Sequence, residues 1–267
     1  EIYNFKELRN ELESQNVIFH SESDTEVVLN SLSVWGADAL IKFNGMFSLA
    51  FFDRMSKKLL LARDRYGIKP LYYSEQNNFF SFASEQKSIF TNPNFSNQVN
   101  IEALYEYFTF QNIFTNQTLL EDINILPSGC YLEVSTLSGE KKITRYWDYH
   151  FKEPNNPSNK EEYLEELHRL FKQSVKRQLV SDVELGSYLS GGMDSGSITA
   201  VSSKEFENLK TFTCGFDLSS ASGIELAFDE RQKAEAMSAK FQTEHYEMVL
   251  KSGDMERCLT KLAWHLE

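Results

Sequence analysis

Beyond residue 183 the chain alternates short apolar runs with longer stretches whose apolar positions recur at helical spacing. Residues 183–189, 210–216 and 244–250 read as strands, and residues 197–206, 229–241 and 254–266 as helices. Such alternation predicts a doubly wound parallel sheet with helices on both faces, whose ligands lie beyond the carboxyl ends of the strands. Ahead of it, Leu164, Leu167, Phe171 and Val175 share one helical face within residues 161–179, so a helix leads into this region.

The earlier part follows a different rhythm. Residues 43–52, 58–62, 71–73 and 79–82 are short and rich in aromatic or aliphatic side chains, with turn-like Arg54-Met55-Ser56 and Gln76-Asn77-Asn78 between them. These predict antiparallel strands. Helical patterns at 5–13, 24–35 and 101–110 predict helices packed on the sheets, the second opened by a capping box from Ser23 to Glu26. Residues 151–159 hold two prolines, three asparagines and little to bury, and predict a linker between a domain at 1–150 and a second at 160–267.

Composition bounds the function. With 267 residues, 41% hydrophobic, the chain can bury two modest cores. No run is long and apolar enough to cross a bilayer, so no membrane partner is expected. Cys130, Cys214 and Cys258 are too widely spaced for a disulfide framework or a zinc site, which points to a reducing, cytoplasmic compartment. A net charge of -12 argues against a nucleic-acid partner. His20, His150, His168, His245 and His265 show no metal-ligand spacing, and Asp229-Glu230 reads as the cap of the helix that follows.

The chemistry concentrates in Ser190-Gly191-Gly192-Met193-Asp194-Ser195, between a strand and a helix. Glycine and serine there are ordinary turn and cap residues. Between two such elements of a parallel sheet they also make a phosphate cradle: glycines admit an anion to the backbone, Ser190 and Ser195 offer hydroxyls, and the helix start offers free N–H groups. Asp194 beside a polyphosphate suits a shared Mg²⁺. Because no lysine lies between Val183 and Ser203, the run is no Walker A loop, and a G-x-G-x-x-G dinucleotide loop is absent too. The remaining reading is a site for the pyrophosphate end of ATP, in an enzyme that adenylates its substrate.

The run S-G-G-M-D-S resembles the PP-loop of the ATP pyrophosphatases, and its surroundings resemble the glutamine-hydrolysing asparagine synthetases. F-N-G-M-F-S-L-A-F-F-D from Phe43, R-D-R-Y-G-I-K-P-L-Y-Y from Arg63, F-A-S-E-Q-K-S-I-F from Phe82, L-P-S-G-C-Y-L from Leu126 and Y-W-D from Tyr146 are similar to that family's class II glutaminase domain. The resemblance implies an incomplete N-terminal-nucleophile hydrolase domain, then an incomplete PP-loop synthetase domain. It implies glutamine, aspartate and ATP as substrates, Mg²⁺ as cofactor and a homodimer as a permitted assembly. Glu1 and Asp24 align with glutamine-binding positions. Leu189 and Cys214 align with the adenosine pocket, and Ser190, Gly191, Gly192, Asp194 and Ser195 with the pyrophosphate and metal site. Gly196 stands where many relatives have serine.

The same resemblance places the family's nucleophilic cysteine, its oxyanion-hole Asn-Gly pair and its glutamine-gripping arginine upstream of Glu1. The second acidic metal motif and the aspartate-orienting residues would follow Glu267. The expectation is a fragment cut at both sides, without glutaminase activity of its own and without a catalytic residue. In the intact parent, aspartate would be activated as an acyl-adenylate and attacked by ammonia from glutamine. Rival readings are a relative that amidates a sugar or peptide carboxylate or closes a β-lactam ring, and a non-catalytic nucleotide-binding module. Another PP-loop enzyme, such as a sulfurtransferase, is opposed by the first half of the chain.

Overall fold

The computed structural model describes residues 1–95, 98–154, 159–217, 219 and 229–266. It divides into two compact units, residues 1–152 and 153–266. Residues 155–158 of the expected linker lie outside the described residues.

The first unit opens with helices α1 (Phe5–Ser14), α2 (Asp24–Trp35) and α3 (Ala39–Lys42), then strands β1 (Ser48–Asp53), β2 (Lys58–Arg63), β3 (Tyr72–Gln76) and β4 (Phe79–Ala83). Helices α4 (Gln86–Ile89) and α5 (Ile101–Phe110) and strands β5 (Ile123–Ile125), β6 (Cys130–Ser135) and β7 (Lys141–Arg145) complete it. The strands form two antiparallel sheets, ordered β1-β2-β6-β7 and β4-β3-β5. Strand β2 shows why they stack in layers, because successive side chains leave a strand on opposite faces. Leu60 and Ala62 join the cluster made with α1 to α3, among Leu8, Leu12, Val27, Leu40 and Phe43. Leu61, fully buried between them, faces Leu71, Leu126 and Leu132 instead.

Strand β1 begins later than its apolar pattern suggests. Phe43 is the C-cap of α3, and residues 43–47 carry Phe43 and Phe47 into the core, ring edge to ring face at 5.7 Å. The Asn77-Asn78 turn between β3 and β4 takes positive φ at both residues, the conformation a two-residue hairpin requires. The capping box at α2 is half formed. Ser23 accepts the Glu26 amide at 3.3 Å, while the Glu26 carboxylate turns back to the amides of His20 and Ser21.

Two neighbours fix the R-D-R-Y-G-I-K loop that follows β2. Buried Asp64 accepts the amides of Phe47, Tyr66, Ile68 and Lys69 at 2.9–3.2 Å. Arg63 donates instead to the carbonyls of Gly67, Lys69 and Leu126, and burial lowers its pKa. Tyr146 donates to the Arg63 carbonyl at 2.8 Å, and burial pushes its phenol well up.

The second unit runs α6 (Lys160–Arg177), β8 (Gly186–Tyr188), α7 (Met193–Ser202), β9 (Lys210–Phe216), α8 (Arg231–Phe241), β10 (Glu244–Leu250) and α9 (Asp254–Leu266). Its sheet is parallel, ordered β10-β9-β8. The chain steps in one direction across this sheet, so right-handed crossovers put α7 and α8 on the same face. Gly196 of α7 meets Met237 of α8, and both helices lie over the face that buries Thr211 and Thr213. On the opposite face Tyr188, Phe212 and Tyr246 form an exposed row, Phe212 and Tyr246 stacked at 5.5 Å. The alternation predicts helices on both faces; among the described residues α7 and α8 share one. Helix α9 borders a cleft of about 470 Å³ with Phe216 and Leu250, at the carboxyl ends of β9 and β10.

Candidate functional site: the turn after β8

Leu189 extends β8 by donating its amide to the Phe212 carbonyl at 2.9 Å, and its own carbonyl accepts the Thr213 hydroxyl. Its side chain is 1% exposed. The chain then turns through Ser190, Gly191 and Gly192 into α7. This helix starts at Met193, four residues before the predicted 197, so Asp194 and Ser195 occupy its first turn. Gly196 conceals that start from sequence, since glycine disfavours a helix interior. A Cβ at Gly196 would sit 2.9 Å from the Met237 sulfur, so close packing on α8 accounts for its small size.

Two hydroxyls hold the turn together. The Ser190 and Ser195 Oγ atoms lie 2.7 Å apart, the Ser190 amide donates to Ser195 Oγ at 3.1 Å, and the Gly192 amide donates to Ser190 Oγ at 3.1 Å. The first i→i−4 bond of the helix is Gly196 N–H to the Gly192 carbonyl, at 3.2 Å. The amides of Met193, Asp194 and Ser195 therefore precede the intrahelical ladder and point out of its positive end. The Asp194 side chain is exposed and has no hydrogen bond or ion pair among the described residues.

Five of the expected nucleotide residues, Ser190, Gly191, Gly192, Asp194 and Ser195, thus come together at one strand end. Leu189 and Cys214 divide between faces. Tyr188 pairs with Phe212, which sets Leu189 level with Thr213. Leu189 is buried there, whereas Cys214 is exposed on the face of the aromatic row.

In the first unit, Glu1 and Asp24 are also neighbours. Glu1 is pinned by reciprocal bonds with Met46, each 3.0 Å, as Ile2 bridges to Gly45. Asp24 accepts the Ile2 amide at 3.1 Å, and its carboxylate stands 3.9 Å from the Glu1 amino group.

Glu230 stands at the N-cap of α8 without a side-chain capping bond, and the bonds there are made by Asp229, one residue earlier. Asp229 accepts the amide and guanidinium of Arg231, and that guanidinium holds the Asp229 carboxyl down to about 2. Arg231 also donates to the Phe216 carbonyl at 2.8 Å, tying the start of α8 to the end of β9. Sequence reasoning missed Lys233, whose stem lies on Gly191. Its only signal is its place within the first turn of a helix on the same sheet face. Among the described residues no cluster of three or more His, Cys, Asp or Glu suited to a metal occurs.

Comparison with known proteins extends these observations. The glutamine amidotransferase domain model matches residues 1–147, and the asparagine synthase model matches residues 166–267. Over 267 residues the chain is 33% identical to asparagine synthetase [glutamine-hydrolyzing] 1 of Bacillus subtilis, covering 100% of this chain and 40% of that protein. It is 31% identical to a putative asparagine synthetase [glutamine-hydrolyzing] of Mycobacterium tuberculosis, covering 100% of this chain and 41% of that one. The chain thus spans about two-fifths of the length of these relatives. It belongs to the glutamine amidotransferase domain family over residues 1–147 and matches the asparagine synthase family over residues 166–267.

Proposed function

We propose that the protein containing this chain makes asparagine from aspartate in an ATP-dependent reaction, with ammonia drawn from glutamine. The observation that carries this reading is the hydroxyl- and glycine-bearing turn between β8 and the start of α7, in a chain whose two halves match an amidotransferase domain and an asparagine synthase in that order. The Ser190 and Ser195 hydroxyls and the first-turn amides of α7 would hold the β and γ phosphates, the Leu189 main chain and the Cys214 side chain would border the adenosine, and Glu1 and Asp24 would bind glutamine.

Asp194 fits a Mg²⁺ ion. A single exposed, unpaired carboxylate beside phosphate-binding groups is the usual protein share of such a site, the remaining ligands being phosphate oxygens and water. When bound, the ion would offset the negative charge of the departing pyrophosphate. Activation is needed because an ionised carboxylate is a poor electrophile, whereas an acyl-adenylate has a good leaving group. The three free thiols, Cys130, Cys214 and Cys258, agree with the cytoplasm as the compartment of this chemistry.

Aspartate-dependent ATP–pyrophosphate exchange by the intact protein tests the reading. Exchange that requires aspartate supports it; exchange driven only by another carboxylate reassigns the acceptor, and none with any carboxylate rejects adenylation.

A further inference from the structure

The turn after β8 contains no lysine, yet a lysine from another helix stands on it. An added Cβ at Gly191 would lie 2.6 Å from Lys233 Cβ, 3.2 Å from Cγ and 2.7 Å from Cδ. The aliphatic stem therefore runs along the glycine backbone, and the ammonium is two bonds beyond Cδ. Lys233 is exposed, and among the described residues its ammonium has no hydrogen-bond or ion-pair partner. Nearby Arg231 differs, because Asp229 and the Phe216 carbonyl already take up its guanidinium.

Charge makes this placement consequential. The turn offers a polyphosphate neutral hydroxyls and amides, together with one carboxylate of the wrong sign. Walker-type loops meet the same demand with a lysine in the loop itself, a flexible point charge that can follow a moving phosphate. We propose that Lys233 is the cation of this site, a binding residue that reaches the β and γ phosphates of the nucleotide from α8. The assignment also explains Gly191, since any side chain there would displace the lysine stem.

This inference rests on the phosphate reading of the turn, and calorimetric titration of the intact protein with MgATP, magnesium pyrophosphate and AMP separates the two. Lys233→Ala and Lys233→Met, which keeps the stem and drops the charge, should each weaken MgATP and pyrophosphate at least tenfold. Both should leave AMP within about twofold, and Lys233→Arg should restore most of the loss. Wild-type pyrophosphate affinity in Lys233→Met would reduce the residue to packing and overturn the proposal while leaving the turn's role intact. A wild-type protein that binds neither MgATP nor pyrophosphate would overturn both.

Discussion

The side-chain oxygens of Ser190 and Ser195 stand 2.7 Å apart and lock the two ends of the turn after β8 to each other. Ser195 also accepts the Ser190 amide, so one hydroxyl shapes the turn and, on the proposed reading, would also bind the nucleotide. Ser195→Ala should lower MgATP affinity by about tenfold or more, the worth of one hydrogen bond to a charged group, with a small change in stability. Titration calorimetry beside a thermal melt checks it; a large fall in melting temperature with unchanged affinity would make the serine purely structural.

Asp194 makes no contact that its removal would orphan. Asp194→Asn should fold like the parent yet lose the benefit of magnesium. Nucleotide titrations with and without Mg²⁺ should give a metal-dependent gain reduced by about tenfold or more. An undiminished gain would remove Asp194 from the metal site.

Gly45 is closed to any side chain, because the Glu1 carbonyl occupies the space a Cβ would need and the Ile2 Cα lies 2.9 Å from it. Gly45→Ala should destabilise the first unit by about 1–3 kcal/mol. It should also raise KM for glutamine in the intact protein, by moving Glu1 away from Asp24. Denaturant melts and glutaminase kinetics read the two effects separately.

Removing the Asp64 carboxylate would strand four amide donors. Asp64→Ala should cost about 3 kcal/mol or more, seen as a lower urea midpoint followed by tryptophan fluorescence. A midpoint shift no larger than that of an ordinary surface substitution would contradict the network.

The Asp229–Arg231 pair gives a pH signature. The folded carboxyl titrates near 2, below its unfolded value, so its stabilisation is complete above the unfolded value and fades as pH falls through about 2. The stability gap between the parent and Asp229→Asn should accordingly be constant near neutrality and close between about pH 4 and pH 2. Equilibrium unfolding across that range measures it, and a gap that widens on acidification would have the wrong sign.

Strong periodicity made most of the fold legible. The bounds of α2, α5, β9, β10 and α9 agree with the sequence pattern, because each is long enough for its helical or strand period to show between turn-like residues. Short elements set by tertiary contacts were not legible: α3 and α4, with four residues each, and the late start of β1, which follows from the Ile2–Gly45 bridge. In the candidate site the contiguous run from Ser190 to Ser195 stood out. Lys233 did not, since only the packing of α8 against α7 brings a residue 42 positions from Gly191 onto its backbone.

Arg63 and Asp64 look on paper like an ion pair waiting to be drawn, yet each is committed to main-chain groups on its own side of the loop. Transposing the two, by Arg63→Asp together with Asp64→Arg, would keep composition, isoelectric point and total charge untouched while undoing both sets of anchors at once. For these two positions, order along the polymer carries information that no tally of charges contains.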